Sequence, residues 1–424
     1  MATSLQIPIS NKWTRSVNFF NGRLLTGEDL TAEQQANRIA HHILGKAIGA
    51  GVVDGLEVTT SLKWNSTLSP ALTVTKGLAI NRRGAQLLLA DDTDIALVRP
   101  AGVTNGSTTI FQDCKPVQSG AYIAGAGVYM LTVGPAISSE GSAEASGIGT
   151  VAASCNSDYK DYGVQFRLLQ IDQAMGLSQA QMGDTNHLRN LVAYNCFGVA
   201  NWNSVWTDPL SSPVEQFDLV DTLLSTKVLT GCEVPLAVIY WTADAGIVFV
   251  DMWSVRRPVV AASPFADWSP LVSPRRYAEG IAMFLQFAAQ VEDVLSSAAA
   301  GASSVKAADS FAFLPAAGFL PITDAGDTNT LAAFFDGLTV RGPAFIDGAS
   351  LQPLVCASFA YPPIDLAAGE LIWLYNVREN IQAFDNNLTK PTLAYVVFSN
   401  GHLPYQGDAR FDRSYWDYSN YALC

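Results

Sequence analysis

Between Val52 and Pro100 the chain is cut into short apolar runs by turn residues, and this pattern constrains the fold more than any other. Val52-Val53-Asp54-Gly55-Leu56-Glu57-Val58 leads to Leu72-Thr73-Val74. Leu78-Ala79-Ile80 is then joined to Leu87-Leu88-Leu89 by Asn81-Arg82-Arg83-Gly84, and Ile95-Ala96-Leu97-Val98 follows. Asn at the start and Gly at the end of the connection suit a hairpin. Strands this short and this regularly spaced point to an antiparallel sandwich or barrel.

A helix precedes them. Thr26-Gly27-Glu28-Asp29 reads as an N-cap with an acidic first turn. Ala36, Ile39, Ala40, Ile43, Leu44, Ala47 and Ile48 fall at the spacing of one apolar stripe, which is expected to be buried, and Gly49 and Gly51 end the helix. A second helix is expected from Ser273-Pro274 to about Ala300, with Ile281, Phe284, Leu285, Ala288, Val291 and Leu295 on a wide apolar face. Serine at the cap and proline at the first helical position mark its start. At ~27 residues it would span roughly 40 Å, a length that suits a bundle or an oligomer neck.

Further strands are expected at Val128–Val133, Val164–Leu169, Leu236–Trp241 with Ile247–Asp251, Glu370–Tyr375 and Thr392–Phe398. Helical segments are expected near Gln179–Asn190, Val214–Leu224 and Thr330–Asp336. Residues 101–120 and 134–160 read as long loops, and Leu314–Pro321 as a proline-punctuated one. The aromatic tail, Tyr405 to Cys424, has to pack on its own domain or on a neighbour. The fold class expected is mainly β with α (α+β): an N-terminal helix, an antiparallel β-sandwich or barrel domain, a long central helix as neck and a C-terminal α/β head. The boundaries expected are 1–60 for a docking segment and helix, 61–262 for the β-rich domain, 263–302 for the neck and 303–424 for the mixed C-terminal domain.

With 424 residues, two or three domains are expected. Hydrophobic residues make up 49% and charged residues 15%, which is enough for a large core and argues against disorder. A net charge of −13 argues against binding phosphate backbones or anionic bilayers. Met1 to Asn18 has neither a basic stretch nor a continuous apolar run, so no signal peptide is expected and the protein is expected to be made in the cytoplasm. The apolar runs are too short or too interrupted to span a bilayer. Reduced thiols are then expected for Cys114, Cys155, Cys196, Cys232, Cys356 and Cys424, whose wide spacing is not that of a zinc site.

No constellation reads as an active site. G-x-S-x-G, HExxH and the P-loop are absent, and Gly125-Ala126-Gly127 precedes a strand where a dinucleotide fingerprint opens a helix. His41 and His42 are adjacent on a helix and point about 100° apart. His187 and His402 stand alone. Asp91-Asp92-Thr93-Asp94 offers oxygens suited to calcium but lacks an EF-hand's glycine and terminal glutamate, and a solvated turn explains it as well. Arg256-Arg257 and Arg275-Arg276 fit either clamps on a neighbour's carboxylates or salt bridges within the chain. A carboxylate pair for glycoside hydrolysis stays open. No catalytic residue, metal ligand or cofactor is expected, and the protein is not expected to be an enzyme.

Phe19-Phe20-Asn21-Gly22-Arg23-Leu24-Leu25-Thr26-Gly27-Glu28-Asp29-Leu30, followed by Gly51-Val52-Val53-Asp54-Gly55-Leu56-Glu57-Val58, resembles the opening of proteins that accompany phage-tail-like contractile injection systems. Lys76-Gly77-Leu78-Ala79-Ile80 with Gly84 is similar to the hairpin of those chains, with Asn81 where aspartate is commoner. Phe249-Val250-Asp251 with Arg256-Arg257, and Leu314–Pro321, are later echoes. The order helix, strands, long helix, C-terminal region is more distantly similar to the trimeric baseplate adaptors of type VI secretion. Those carry a His-Phe-Gln where this chain has Asp29-Leu30-Thr31. The resemblance implies a structural subunit at a baseplate or fibre attachment, a homotrimer whose partners are other baseplate or fibre subunits. Phe19, Phe20, Arg23, Leu24 and Leu25 are its expected docking residues, unless Phe19, Phe20 and Leu24 cap the β-domain core. A receptor- or glycan-binding fibre module, with Trp202, Trp206, Tyr415, Trp416 and Tyr418 as stacking residues, and a particle-borne cell-wall hydrolase are the alternatives.

Overall fold

The computed structural model describes residues 16–63, 69–98, 123, 125–140, 159–201, 217–260, 274–298, 305–322, 333–380 and 394–400. Their order is α1 (Gly27–Ile48), β1 (Gly51–Gly55), β2 (Val58–Thr60), β3 (Ala71–Val74), β4 (Gly77–Ile80), β5 (Gln86–Leu89), β6 (Thr93–Ala96), β7 (Gly127–Glu140) and β8 (Tyr159–Gln170). Then come α2 (Asp172–Met175), α3 (Gln179–Gly183), α4 (Thr185–Cys196), α5 (Leu219–Ser225), β9 (Val234–Thr242), β10 (Gly246–Asp251), α6 (Pro274–Ala298) and α7 (Ala307–Ser310). The C-terminal part holds β11 (Phe313–Leu314), β12 (Ala317–Ile322), β13 (Val340–Ile346), α8 (Gly348–Ser358), β14 (Ile364–Asp365), β15 (Ile372–Val377) and β16 (Ala394–Asn400).

The chain is mixed α/β with several antiparallel sheets, and among the described residues none closes into a barrel. The organising layer is the sheet β10-β9-β7-β8. Alternation along β7 sends Tyr129, Leu131 and Val133 to one face and Val128 and Met130 to the other. The first set meets the two small sheets β1-β4-β5 and β2-β3-β6 through Leu56, Leu72, Val74 and Leu87. The second meets α2, α4 and α5 through Met175, Leu188, Val192 and Leu223. A sheet covered on both faces needs apolar residues at every position, which is why Val128–Val133 is a continuous run rather than an alternating one.

Behind the helices lies a second sheet, β12-β16-β15-β13. Ile372 and Leu374 of β15 face α6, while Trp373, Tyr375 and Val377 face the side where α8 contributes Leu354. β13 and β15 pair in parallel, and α8 lies in the crossover between them. Neither β13 nor α8 is legible in the sequence: β13 carries Gly342 and Pro343, and α8 contains Pro353.

Several expectations are corrected. The loop expected at 134–160 is partly strand, because β7 runs on to Glu140 and β8 starts at Tyr159. Beyond Val133 the long β7–β8 ribbon has lost its neighbour β9, so Pro135 occupies an open edge where its missing N–H breaks no ladder. Leu314–Pro321 is not a loop either. Leu314 ends β11 and β12 begins at Ala317, with Pro321 on an edge strand opposite Tyr395. The helix expected near Gln179–Asn190 is two, α3 and α4, because Asp184 interrupts the first and caps the second. Cys232 is disulfide-bonded, against the expectation of reduced thiols, while Cys196 and Cys356 are free. That expectation rested on compartment alone, whereas pairing depends on which cysteines the fold brings together. No helix among the described residues is long and apolar enough to cross a membrane.

Candidate docking surface

The segment before α1 is built around Arg23. Its guanidinium donates to the Asn18 carbonyl at 2.7 Å and to Asp29 Oδ1 at 2.5 Å. Asp29 is also the third residue of a capping box: the Thr26 hydroxyl accepts from Asp29 N at 3.2 Å, and Asp29 Oδ2 accepts from Thr26 N at 3.1 Å. The Thr26 bonds and the Arg23 charge hold the Asp29 carboxyl below its usual range. Val17 N closes the loop on Glu33 Oε2 at 3.2 Å. Arg23 therefore shapes the loop instead of reaching outward, and what it presents is apolar. Phe19, Phe20, Leu24 and Leu25 are all exposed, Leu24 at 89%. They do not cap the β-domain core.

α1 continues that surface. Its apolar stripe was expected to be buried, yet Ile43, Leu44 and Ile48 are about half exposed, as is Leu30, and Gly45 is the one buried residue of the helix. The helix touches its own chain by another side. Arg38 lies over the Tyr162 ring at 4.4 Å and donates to its hydroxyl. Gly45 presses on Gly84 of the β4–β5 turn so closely that a Cβ on either would overlap a backbone carbonyl, and Gly84 also needs its φ of +82°. At about 100° per residue, the stripe centre lies roughly 180° from the Arg38–His42–Gly45 line. The apolar face thus points away from the protein. The pattern in the sequence is real, and its partner is not in the described chain.

The remaining candidates serve the fold. Arg256 donates from Nη1 to the Leu56 carbonyl at 2.7 Å and from Nη2 to the Gly55 carbonyl, clamping the left-handed kink that Gly55 and Leu56 make between β1 and β2. Two separated motifs, Val52–Val58 and Arg256-Arg257, are thereby one structural unit. Asp251 is a fully buried hub: it accepts from Arg189 Nε at 2.9 Å, Gln286 Nε2 at 3.1 Å and Ser254 N at 3.0 Å. Arg275 bonds Asp218 and Asp221 at 2.7 Å each and Glu279 at 2.9 Å, and Arg276 donates to the Tyr361 carbonyl at 2.7 Å, so this pair is used within the chain. Burial pushes the Glu279 carboxyl up, and Arg275 pulls against it.

Asn81 explains itself. Its Oδ1 accepts from Arg83 N and Ala85 N at 3.0 and 2.9 Å, and its Nδ2 donates to the Cys232 carbonyl at 3.0 Å. An aspartate would keep the turn but has no donor for that carbonyl.

The chemistry-bearing candidates do not converge. His187 is not alone, since Nδ1 meets Asp184 at 2.7 Å and Nε2 the Ala308 carbonyl at 2.8 Å. His41 is exposed, while burial, and after it Lys46 and Arg38, depress the pKa of His42. Asp92 accepts from Lys76 N at 2.8 Å and Asp94 from the Thr73 hydroxyl at 2.6 Å, as a strand turn requires. Burial pushes the Cys196 thiol up, which suits a packing residue and not a nucleophile. Among the described residues no group of three or more His, Cys, Asp or Glu is placed to hold a metal ion. His402, Trp202, Trp206, Tyr415, Trp416 and Tyr418 lie outside the described residues. Leu30, Tyr159 and Tyr162 join the exposed apolar set without having been singled out; Leu30 is signalled only by its place one turn into an otherwise polar start of α1. No family model matches this chain, and no curated protein matches it.

Proposed function

We propose that this chain is a structural subunit of a phage-tail-like contractile injection particle, seated at the baseplate or fibre attachment by protein–protein docking. The observation that carries the reading is the apolar stripe of α1, turned away from its own chain and continued by Phe19, Phe20, Leu24 and Leu25. A half-exposed helix of 22 residues, which among the described residues meets its own chain at Gly45 and Arg38, gains stability when its open face is covered. The resemblance of residues 19–58 to the opening of injection-system proteins points to the kind of assembly that covers it. In this reading α1 and the preceding loop are the docking element, and three copies assemble around it. The role is mechanical, and the polar clusters keep the body rigid under load.

The test is the mass of the purified protein by light scattering. The chain weighs 45.3 kDa, and a trimer would appear at about three times that. Replacing Ile43 and Leu44 by serine is expected to return it to the monomer with its melting temperature little changed. A wild-type monomer, or a trimer indifferent to both substitutions, overturns self-association through α1.

A further inference from the structure

A cavity of about 320 Å³ opens where the β4–β5 turn, the start of β9, the chain after β10 and the first turn of α6 meet. Its walls are largely apolar, with Val220, Leu229, Val255 and Val260 among them, and Arg82, Arg257 and Arg275 also line it. An apolar pocket with a few convergent charges is the usual form of a small-molecule site.

The three arginines are not equivalent. Arg275 is saturated by Asp218, Asp221 and Glu279. Among the described residues Arg257 has no carboxylate partner: Nη1 donates to the carbonyls of Trp253 at 2.9 Å and Arg256 at 3.0 Å, Nη2 to that of Ser254 at 3.2 Å, and the group lies over the Phe197 ring at 5.0 Å. It is partly buried and lines the cavity. Burial depresses its pKa, which marks a cation short of compensation. Arg82 is half exposed at the rim, and its nearest carboxylate, Asp221, is 3.9 Å away.

The carboxylates nearby are already committed. Asp218 caps α5 by accepting from Asp221 N at 2.8 Å, and Asp221 accepts from Phe217 N at 3.2 Å, besides their bonds to Arg275. Glu233 faces the cavity but is held bidentate by Arg167, both bonds at 2.6 Å. Arg82, Arg257, Arg275 and Arg276 together outnumber Asp218, Asp221 and Glu279 by one positive charge.

We propose that this cavity binds a small organic monoanion, its carboxylate between Arg257 and Arg82 and its apolar body against Val220, Leu229, Val255 and Val260. The single excess charge matches one carboxylate. The apolar walls match a short hydrocarbon body better than a bare inorganic ion. The proposal does not rest on the docking reading, although the β4–β5 turn that carries Arg82 also meets α1 through Gly84.

The test titrates the full-length protein by calorimetry with hexanoate, hexylamine and inorganic phosphate. Saturable binding of hexanoate at one site per chain, with none of hexylamine, is expected. Arg82→Gln should weaken hexanoate at least tenfold while its melting curve overlays the wild type. Arg257→Gln should abolish binding, and the Arg82 variant keeps the test decisive if Arg257→Gln fails to fold. No hexanoate binding to the wild type overturns the proposal, as does equal binding to Arg82→Gln. Phosphate binding more tightly than hexanoate overturns the assignment to a carboxylate with an apolar body.

Discussion

α1 and α6 have similar lengths, 22 and 25 residues, and both carry apolar residues at helical spacing. α6 lays Ala278, Ala282, Met283, Phe287 and Val291 into the protein. Phe287 packs edge-on to Phe398 at 5.1 Å, and Gly280 lets the Phe359 backbone approach. Its buried face also includes Glu279, Gln286 and Gln290, each tied to a partner: Arg275, Asp251 and the Ser310 carbonyl. α1 buries a glycine and leaves its stripe in solvent. Periodicity tells which side of a helix wants cover. It does not say whether the cover is in the same chain.

The contrast can be broken by mutation. Phe287→Ala should cost about 3–5 kcal/mol, since it empties a site walled by Phe311 and Phe398. Leu44→Ser should change the stability of an isolated chain by no more than about 0.5 kcal/mol, because Leu44 is already 60% exposed. Chemical denaturation of both variants measures the difference; a large loss from Leu44→Ser in a monomeric sample would mean that α1 is covered by its own chain.

A smaller effect is expected from Gly45→Val, which drives a side chain into the Gly84 carbonyl. Strain of about 1–3 kcal/mol should release α1 from the β4–β5 turn and leave the sheets and α6 in place. Hydrogen exchange reads this directly, with amides of α1 losing protection and those of β7, β9 and α6 keeping theirs.

The smallest effect is a pH dependence confined to α1. Burial, then Lys46, Arg38 and His41, hold the pKa of His42 below its ordinary 6.5 in the folded state. The unfolded helix then binds the proton more readily, so the contribution of His42 is present above pH 6.5 and is lost as the pH falls below it. Protection of α1 amides, corrected for intrinsic exchange, should fall between pH 7.5 and 5.5 more than that of α6. His42→Gln should remove the difference.

Much of the framework was legible in the sequence. Thr26 and Asp29 announce the start of α1, Asn81 and Gly84 the β4–β5 turn, and the apolar run Val128–Val133 a strand. These are local signals, set by backbone conformation, side-chain period and capping within a few residues. The edge strands holding Pro135 and Pro321 were read as loops, because proline is an obstacle only where a ladder hydrogen bond is needed, and edges are defined by neighbours far along the chain. The proposed docking residues at 19–25 were legible as a motif. Their exposure was not, and Arg23 proved to be the loop's own pin.

Local signals along the chain set where most helices and strands begin and which residues want cover, and they include no familiar catalytic motif. Packing between distant segments settles which of those faces find cover inside the chain. It also decides that Arg256 closes a kink 200 residues away and that, among the described residues, Arg257 borders a cavity without a carboxylate of its own. The reason is physical: hydrogen-bonding and turn propensities act over a few residues, whereas burial and charge compensation depend on segments that meet only after the chain has folded.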